Sequence, residues 1–204
     1  MASPATLFRV DGKVALVTGG YGGIGKAVSD GLAAMGARVA VAGHNRQKAE
    51  EYTEETFDHV VDVNLKGAMF QAQAAARHMI RQGTGGKQVH MGSVRARLAL
   101  RGRGYAAYCA SKGGLATLCK QLAAEWAPHK INVNVVAPTF VRTPLVADML
   151  SEPKFYNSLV ARIPLGRIAE PDDVRNTVLF LVSPASDFIT GQTIYLDGGI
   201  TATQ

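Results

Sequence analysis

Three residue types near the middle of the chain stand at spacings that can move a proton. Ser93 closes 87-KQVHMGS-93, which reads as a strand, and fifteen residues later comes 108-YCASK-112. Tyr108 and Lys112 are four apart in a helical pattern, so both side chains project from one face. A free phenol has a pKa of about 10. An ammonium one turn away favours the phenolate and brings that value towards neutrality. A serine hydroxyl beside it can bind the oxygen that gains or loses the proton. The set suits interconversion of a secondary alcohol and a ketone, with Tyr108 as general acid/base, Ser93 as orienting partner and hydride exchanged with a nicotinamide. A Tyr-x3-Lys pair by itself is more often two exposed side chains. The strand-end serine and a glycine loop upstream carry the reading.

That loop is 18-TGGYGGIG-25, with Gly19, Gly23 and Gly25 framing Tyr21 and Ile24. A turn with positive φ and no Cβ lets the backbone approach a pyrophosphate, and a helix N-terminus adds free N–H groups. The loop follows 13-KVALVTG-19, an apolar run that reads as a parallel strand buried on both faces, as 38-RVAVAG-43 does, and opens 24-IGKAVSDGLAAMG-36, whose last Gly suits a helix end. A second strand, 38-RVAVAG-43, completes a βαβ unit. The adenosine ribose is met after this strand, where the chain reads 43-GHNR-46. No carboxylate stands there. His44, Asn45 and Arg46 can donate to a 2′-phosphate, which favours NADP(H) over NAD(H). A solvated loop in which Arg46 only opens the next helix is the competing reading.

The remaining elements must hold these groups. Residues 53–82 read as a helix, with Thr53 as N-cap, Glu54 and Glu55 in its first turn and Arg77 and Arg81 near its end. Residues 87–93 read as a strand, and 105–127 as a long helix closed by Pro128. Residues 130–138 form a strand, 142–162 an irregular stretch with short helices, and 170–183 a helix with Pro171 in its first turn. Residues 193–199 form a last strand and turn. The alternation predicts an α/β fold, a Rossmann-type doubly wound parallel sheet with helices on both faces.

The bulk composition agrees. The chain has 204 residues, 47% hydrophobic and 19% charged, which suits one well-buried domain over 1–204. Its formal charge of +6 is spread without a basic run, so no nucleic-acid partner is expected. No apolar run exceeds six residues, so no membrane span is expected, and MASPATLFRV is not a secretory signal. Cys109 and Cys119 are about 15 Å apart along one helix, beyond disulfide reach. They have no metal-ligand spacing and read as buried thiols of a cytoplasmic protein.

Together, 18-TGGYGGIG-25, 62-DVNLKG-67, 91-MGSV-94, 108-YCASK-112, 134-NVVAP-138 and 191-GQTIYLDGG-199 resemble the short-chain dehydrogenase/reductase family, in its order. The resemblance implies a Rossmann fold, a small-molecule substrate and a homotetramer or homodimer formed through the 54–82 and 105–127 helices. It implies that Lys112 also holds the nicotinamide ribose. It gives Asn64 a water in a proton relay, through a helix irregularity, where the residues alone suggest only a core amide. It sets Pro138, the Val141 backbone and Thr143 at the nicotinamide and phosphates. The family commonly has Pro-Gly where this chain has Pro138-Thr139.

Arg95, Arg97, Arg101 and Arg103 lie between Ser93 and Tyr108. Cations there suit an anionic substrate, Arg95 and Arg101 first, because Arg grips carboxylates with two N–H groups. MGSVR with AYCASKGG resembles the gluconate 5-dehydrogenase-like branch, which implies a sugar acid or keto acid. A 3-oxoacyl thioester is the alternative.

One departure stands out. The family has a third strand, a helix and a fourth strand ending in Asn-Asn-Ala-Gly where this chain has 48-KAEEYTEETFDH-59. Two such units are roughly 60 residues at about 30 each. Their loss opens the sheet beside the cofactor crevice, and each buried unpaired group costs about 1–3 kcal/mol. The sequence therefore predicts a longer polypeptide with a further segment between Lys48 and Thr53, its junction at Glu50–Glu51. A shortened, non-catalytic relative that binds partners through the long helices is the competing expectation.

Overall fold

The computed structural model describes residues 8–20, 22–42, 53–100 and 104–203. Tyr21, His44, Asn45, Arg46, Arg101, Arg103 and the Glu50–Glu51 junction lie outside the described residues. The chain divides into two compact units. One takes the described parts of 1–45, 138–187 and 196–204, the other those of 46–137 and 188–195.

In the first unit, β1 (Val14–Thr18) and β2 (Arg38–Ala42) pair in parallel, from Val14 opposite Arg38 to Thr18 opposite Ala42. Helix α1 (Gly23–Ala34) connects them. It stops at Gly36, whose φ of 94° is open to glycine, and Ala37 N then donates to Leu32 O at 3.0 Å. The helix Pro171–Val182 packs on α1. A Cβ on Gly31 would fall 2.7 Å from Arg175 Cδ, so the absence of a side chain permits the close approach. Pro171 occupies the first turn as expected, and a capping box joins Glu170 and Asp173. Short helices at Ala147–Ser151 and Pro153–Val160 fill the irregular stretch. A last helix, Ile200–Thr203, was not expected; Asp197 accepts from Gly199 N and Thr201 N at its start.

The second unit carries almost all of a sheet ordered β3-β4-β5, built from Gly86–Met91, Ile131–Pro138 and Thr193–Leu196. β3 and β4 run parallel, Gly86 opposite Ile131 through Met91 opposite Val136. β4 is buried on both faces, with Val133, Val135 and Val136 at 1% exposure or less. This is the pattern of a strand covered twice. The buried Asn134 donates to Ile189 O at 2.8 Å and accepts from Gln192 N at 3.0 Å, which pins the 188–195 segment.

Helix α2 (Glu54–Val61) begins at Thr53, whose Oγ1 accepts from Thr56 N at 3.2 Å. It passes through a π turn, Asp62–Lys66, into α3 (Gly67–Gln82), which ends on left-handed Gly83. Helix α4 (Ala106–Trp126) lays Leu115, Cys119 and Leu122 against Ala72, Ala76 and β4. Burial pushes the Cys119 thiol up to about 12, which makes it inert at neutral pH. No described helix is long and apolar enough to cross a membrane.

One expectation needs correction. The apolar runs of β1 and β2 read as strands buried on both faces, yet their exposure alternates, and Val14 and Leu16 are 68% and 67% exposed. An apolar run states what a strand can bury; whether both faces are covered depends on what packs against them. In line with the expected lack of a third and fourth strand, the described strands fall into two sheets, of two and three, with β1 and β3 each at an edge among the described residues.

Leu115→Ala should cost about 2–5 kcal/mol, whereas Leu16→Ala should stay within about 0.5 kcal/mol. Urea denaturation of both variants checks this. A Leu16→Ala cost matching Leu115→Ala would mean that the β1–β2 face is covered.

Candidate active site

The second unit gathers Asn64, Ser93, Tyr108 and Lys112. Tyr108 and Lys112 lie one turn apart near the start of α4, with Lys112 Nζ 5.7 Å from the Tyr108 ring centroid. At that range the ammonium attracts the ring electrostatically. Lys112 Nζ also donates to Met91 O at 2.8 Å, which ties α4 to the end of β3. Asn64 sits in the π turn, so the helix irregularity implied for it is present. Its Nδ2 donates to Ser111 Oγ at 3.2 Å, and Ser111 Oγ donates to Tyr108 O at 2.9 Å. Ser111 is fully buried. Sequence reasoning passed over it, although it lies on the Tyr108–Lys112 face.

Ser93 follows β3 and caps the short 3-10 turn Val94–Ala96, its Oγ accepting from Arg95 N at 3.1 Å. A hydroxyl has one proton and two lone pairs. With this amide as donor, the O–H keeps its proton for a partner. Arg95 is buried, and its Nη1 donates to Leu98 O at 3.1 Å and Ala99 O at 2.7 Å. The Arg97 guanidinium lies 5.9 Å from the Tyr195 ring centroid. Protein groups thus engage both of the described arginines that were expected to be cations beside the substrate.

The first unit gathers the glycine loop and the residues after β4. Gly19 and Gly23 have φ of 71° and 49°. A Cβ on Gly25 would lie 2.0 Å from Gly19 O, so the loop closes only without one. The α1 N-terminus has no side-chain cap, leaving its amides to an anion. Ile24 stands in its first turn. A Cβ on Gly23 would meet Thr143 Cγ2 at 2.9 Å, so Thr143 abuts the loop. Val141 is buried and bridges to Ala169. Pro138 ends β4. Thr139, where the family has glycine, has a shielded Oγ1 without a partner among the described residues. The bare amides, the positive φ values and the Cβ-free closure fit a dinucleotide pyrophosphate.

His90 is a second residue that sequence reasoning missed. The signal was available, since Gln88 and His90 alternate on one face of the strand. Its Nε2 is shielded and has no partner among the described residues. Burial first, then the Lys112 charge, pushes the imidazole down to about 4.

Residues 42–201 match the family described as enoyl-(acyl carrier protein) reductase, and residues 13–56 the family described as short chain dehydrogenase. The chain belongs to the short-chain dehydrogenase/reductase family. An uncharacterized oxidoreductase of Mycobacterium tuberculosis is 44% identical over 171 residues, covering 82% of this chain and 63% of that protein. The chain thus spans under two thirds of that relative's length. L-xylulose reductase of Bos taurus is 32% identical over 243 positions, covering 96% of this chain and 99% of that one. That alignment is 39 positions longer than this dehydrogenase/reductase chain of 204 residues, so at least 39 positions of the relative have no counterpart here. The crystal structure of a gluconate 5-dehydrogenase from Burkholderia cenocepacia, in complex with NADP and tartrate, superposes with a TM-score of 0.89 at 30% identity. It covers 99% of this chain and 100% of that one.

The His90 imidazole sets a pH dependence. Its folded value of about 4 lies below the ordinary 6.5, so the unfolded chain binds more protons between them. The stability it contributes is complete above pH 6.5 and is lost as pH falls towards 4. His90→Leu should flatten that part of the pH–stability curve, as read by urea denaturation at stepped pH. An unchanged slope would remove His90 as its source.

Proposed function

We propose that this chain is a nicotinamide-dependent oxidoreductase interconverting a secondary alcohol and a ketone, with a sugar acid or keto acid as substrate. The observation that carries the proposal is the tie of Lys112 to the end of the strand leading to Ser93, with its ammonium 5.7 Å from the Tyr108 ring. In the reducing direction, Tyr108 Oη gives its proton to the substrate oxygen while Ser93 O–H donates to the same oxygen. Lys112 favours the phenolate that remains, and Asn64 holds the water that returns the proton. In the oxidising direction, Tyr108 takes the proton instead. The cofactor, when bound, supplies or accepts hydride.

Gly19, Tyr21, Gly23, Ile24 and Gly25 would hold its pyrophosphate, and Tyr108 and Lys112 its nicotinamide ribose. Pro138, Val141 and Thr143 would hold the nicotinamide end. His44, Asn45 and Arg46, with no carboxylate among them, favour NADP(H) over NAD(H). The NADP and tartrate in the Burkholderia enzyme support that preference and an anionic substrate. The acyl-carrier-protein description of the matched family supports a 3-oxoacyl thioester as the second reading. Exposed Phe57, Val63 and Phe70 on the 54–82 helices support a homotetramer or homodimer through that surface. A monomer in analytical ultracentrifugation would remove that part. Free thiols agree with a cytoplasmic site of action.

We further infer that a longer form of this single domain carries a segment between Lys48 and Thr53. The two family matches overlap at 42–56, the bovine relative has at least 39 unmatched positions, and β1 and β3 are both edges among the described residues. Intact mass of the natural protein should exceed 21.6 kDa. A mass equal to that value refutes the longer form.

With NADPH and a panel of keto acids, sugar-acid ketones and 3-oxoacyl thioesters, turnover should appear. Tyr108→Phe should lower kcat by about 10²-fold or more while NADPH still binds, as followed by cofactor fluorescence. Neither binding nor turnover in full-mass protein would favour the non-catalytic relative, which the uncovered β1–β2 face supports.

A further inference from the structure

We propose that Arg95 is a positioning residue that holds the loop following Ser93, and does not bind substrate charge. The inference rests on the oxidoreductase reading of the same site. Ionised arginine is rarely buried, because removing its charge from water is costly unless every N–H finds an acceptor. Arg95 is only 6% exposed, and Nη1 reaches two consecutive carbonyls, Leu98 O at 3.1 Å and Ala99 O at 2.7 Å. Those carbonyls belong to residues outside any helix or strand. Backbone carbonyls in such a segment need water or a side-chain donor, and the guanidinium supplies the donor.

The same residue acts on Ser93 through its backbone. Arg95 N donates to Ser93 Oγ at 3.1 Å, Ala96 N to Ser93 O at 3.0 Å, and Arg97 N and Leu98 N to Val94 O at 2.9 and 2.8 Å. These bonds wind residues 93–98 into one turn. The guanidinium closes it by holding the carbonyls at its far end. The amide that leaves the Ser93 proton available to a substrate oxygen is therefore fixed by the side chain of its own residue. Loosening the clamp frees the turn, and Ser93 loses its fixed hydroxyl direction. A substrate carboxylate would compete with Leu98 O and Ala99 O for Nη1 and would have to enter a site that is already buried.

The two roles separate by kinetics. Arg95→Met keeps length and apolar volume but removes the donors. Full-length protein is assayed on a matched pair of ketones, one bearing a carboxylate and one the corresponding amide. Positioning predicts that kcat falls about tenfold or more for both, with the ratio of their kcat/KM values within about twofold of the parent. Arg95→Lys, which can still donate to carbonyls, should recover part of kcat on both. A KM rise of about tenfold confined to the carboxylate ketone, with kcat kept, would overturn the proposal.

Hydrogen exchange gives a readout free of turnover. In Arg95→Met, and less in Arg95→Lys, the amides of residues 96–98 should exchange faster while those of α4 keep their protection. Unchanged exchange at 96–98 overturns the clamp. If the parent protein shows no turnover, the oxidoreductase reading fails, and the exchange result alone decides the clamp. If Arg95→Met does not fold, the same measurements on Arg95→Lys decide it.

Discussion

A hydrogen bond from Lys112 Nζ to Met91 O joins the helix that carries Tyr108 to the strand that leads into Ser93. The two residues are 21 positions apart in sequence, and the bond fixes where their elements meet. A charged donor to a backbone carbonyl is stronger than a neutral one, and partial burial shields it from water. The neighbouring groups are arranged around that ammonium. Tyr108 lies within its field, His90 is kept neutral partly by it, and Ser111 links the same face of the helix to Asn64. The π turn matters here because the extra residue in that turn shifts the register of Asn64, in a run that an α-helix would continue unbroken.

What was legible in the sequence is what depends on neighbours along the chain. Thr53, Gly36 and Pro171 each sit at a helix end, because capping is decided within one turn. The long helices announce themselves by period, and the glycine loop by the order strand, loop, helix, strand. The joint presence of Ser93, Tyr108 and Lys112 was readable for the same reason.

Tertiary surroundings were not legible. Arg95 looks like any loop cation until two carbonyls close on it. His90 reads as one polar residue in a strand, and only packing shows that its Nε2 is shielded. The Asp62–Lys66 π turn leaves no period of its own in five residues; its place came from family resemblance. The apolar run of β1 was over-read, since VALVT states that both faces can be covered without saying that they are. The run of β4, though interrupted by Asn132 and Asn134, is buried almost throughout.

The exposed side of the β1–β2 pair has a consequence for the life of the protein after synthesis. A parallel strand that is an edge among the described residues, with Val14 and Leu16 exposed, is a template on which another chain's strand can lie. Charged residues that blunt such an edge are absent from VALVT itself. Association by that route rises with concentration and with the time the edge spends unpaired.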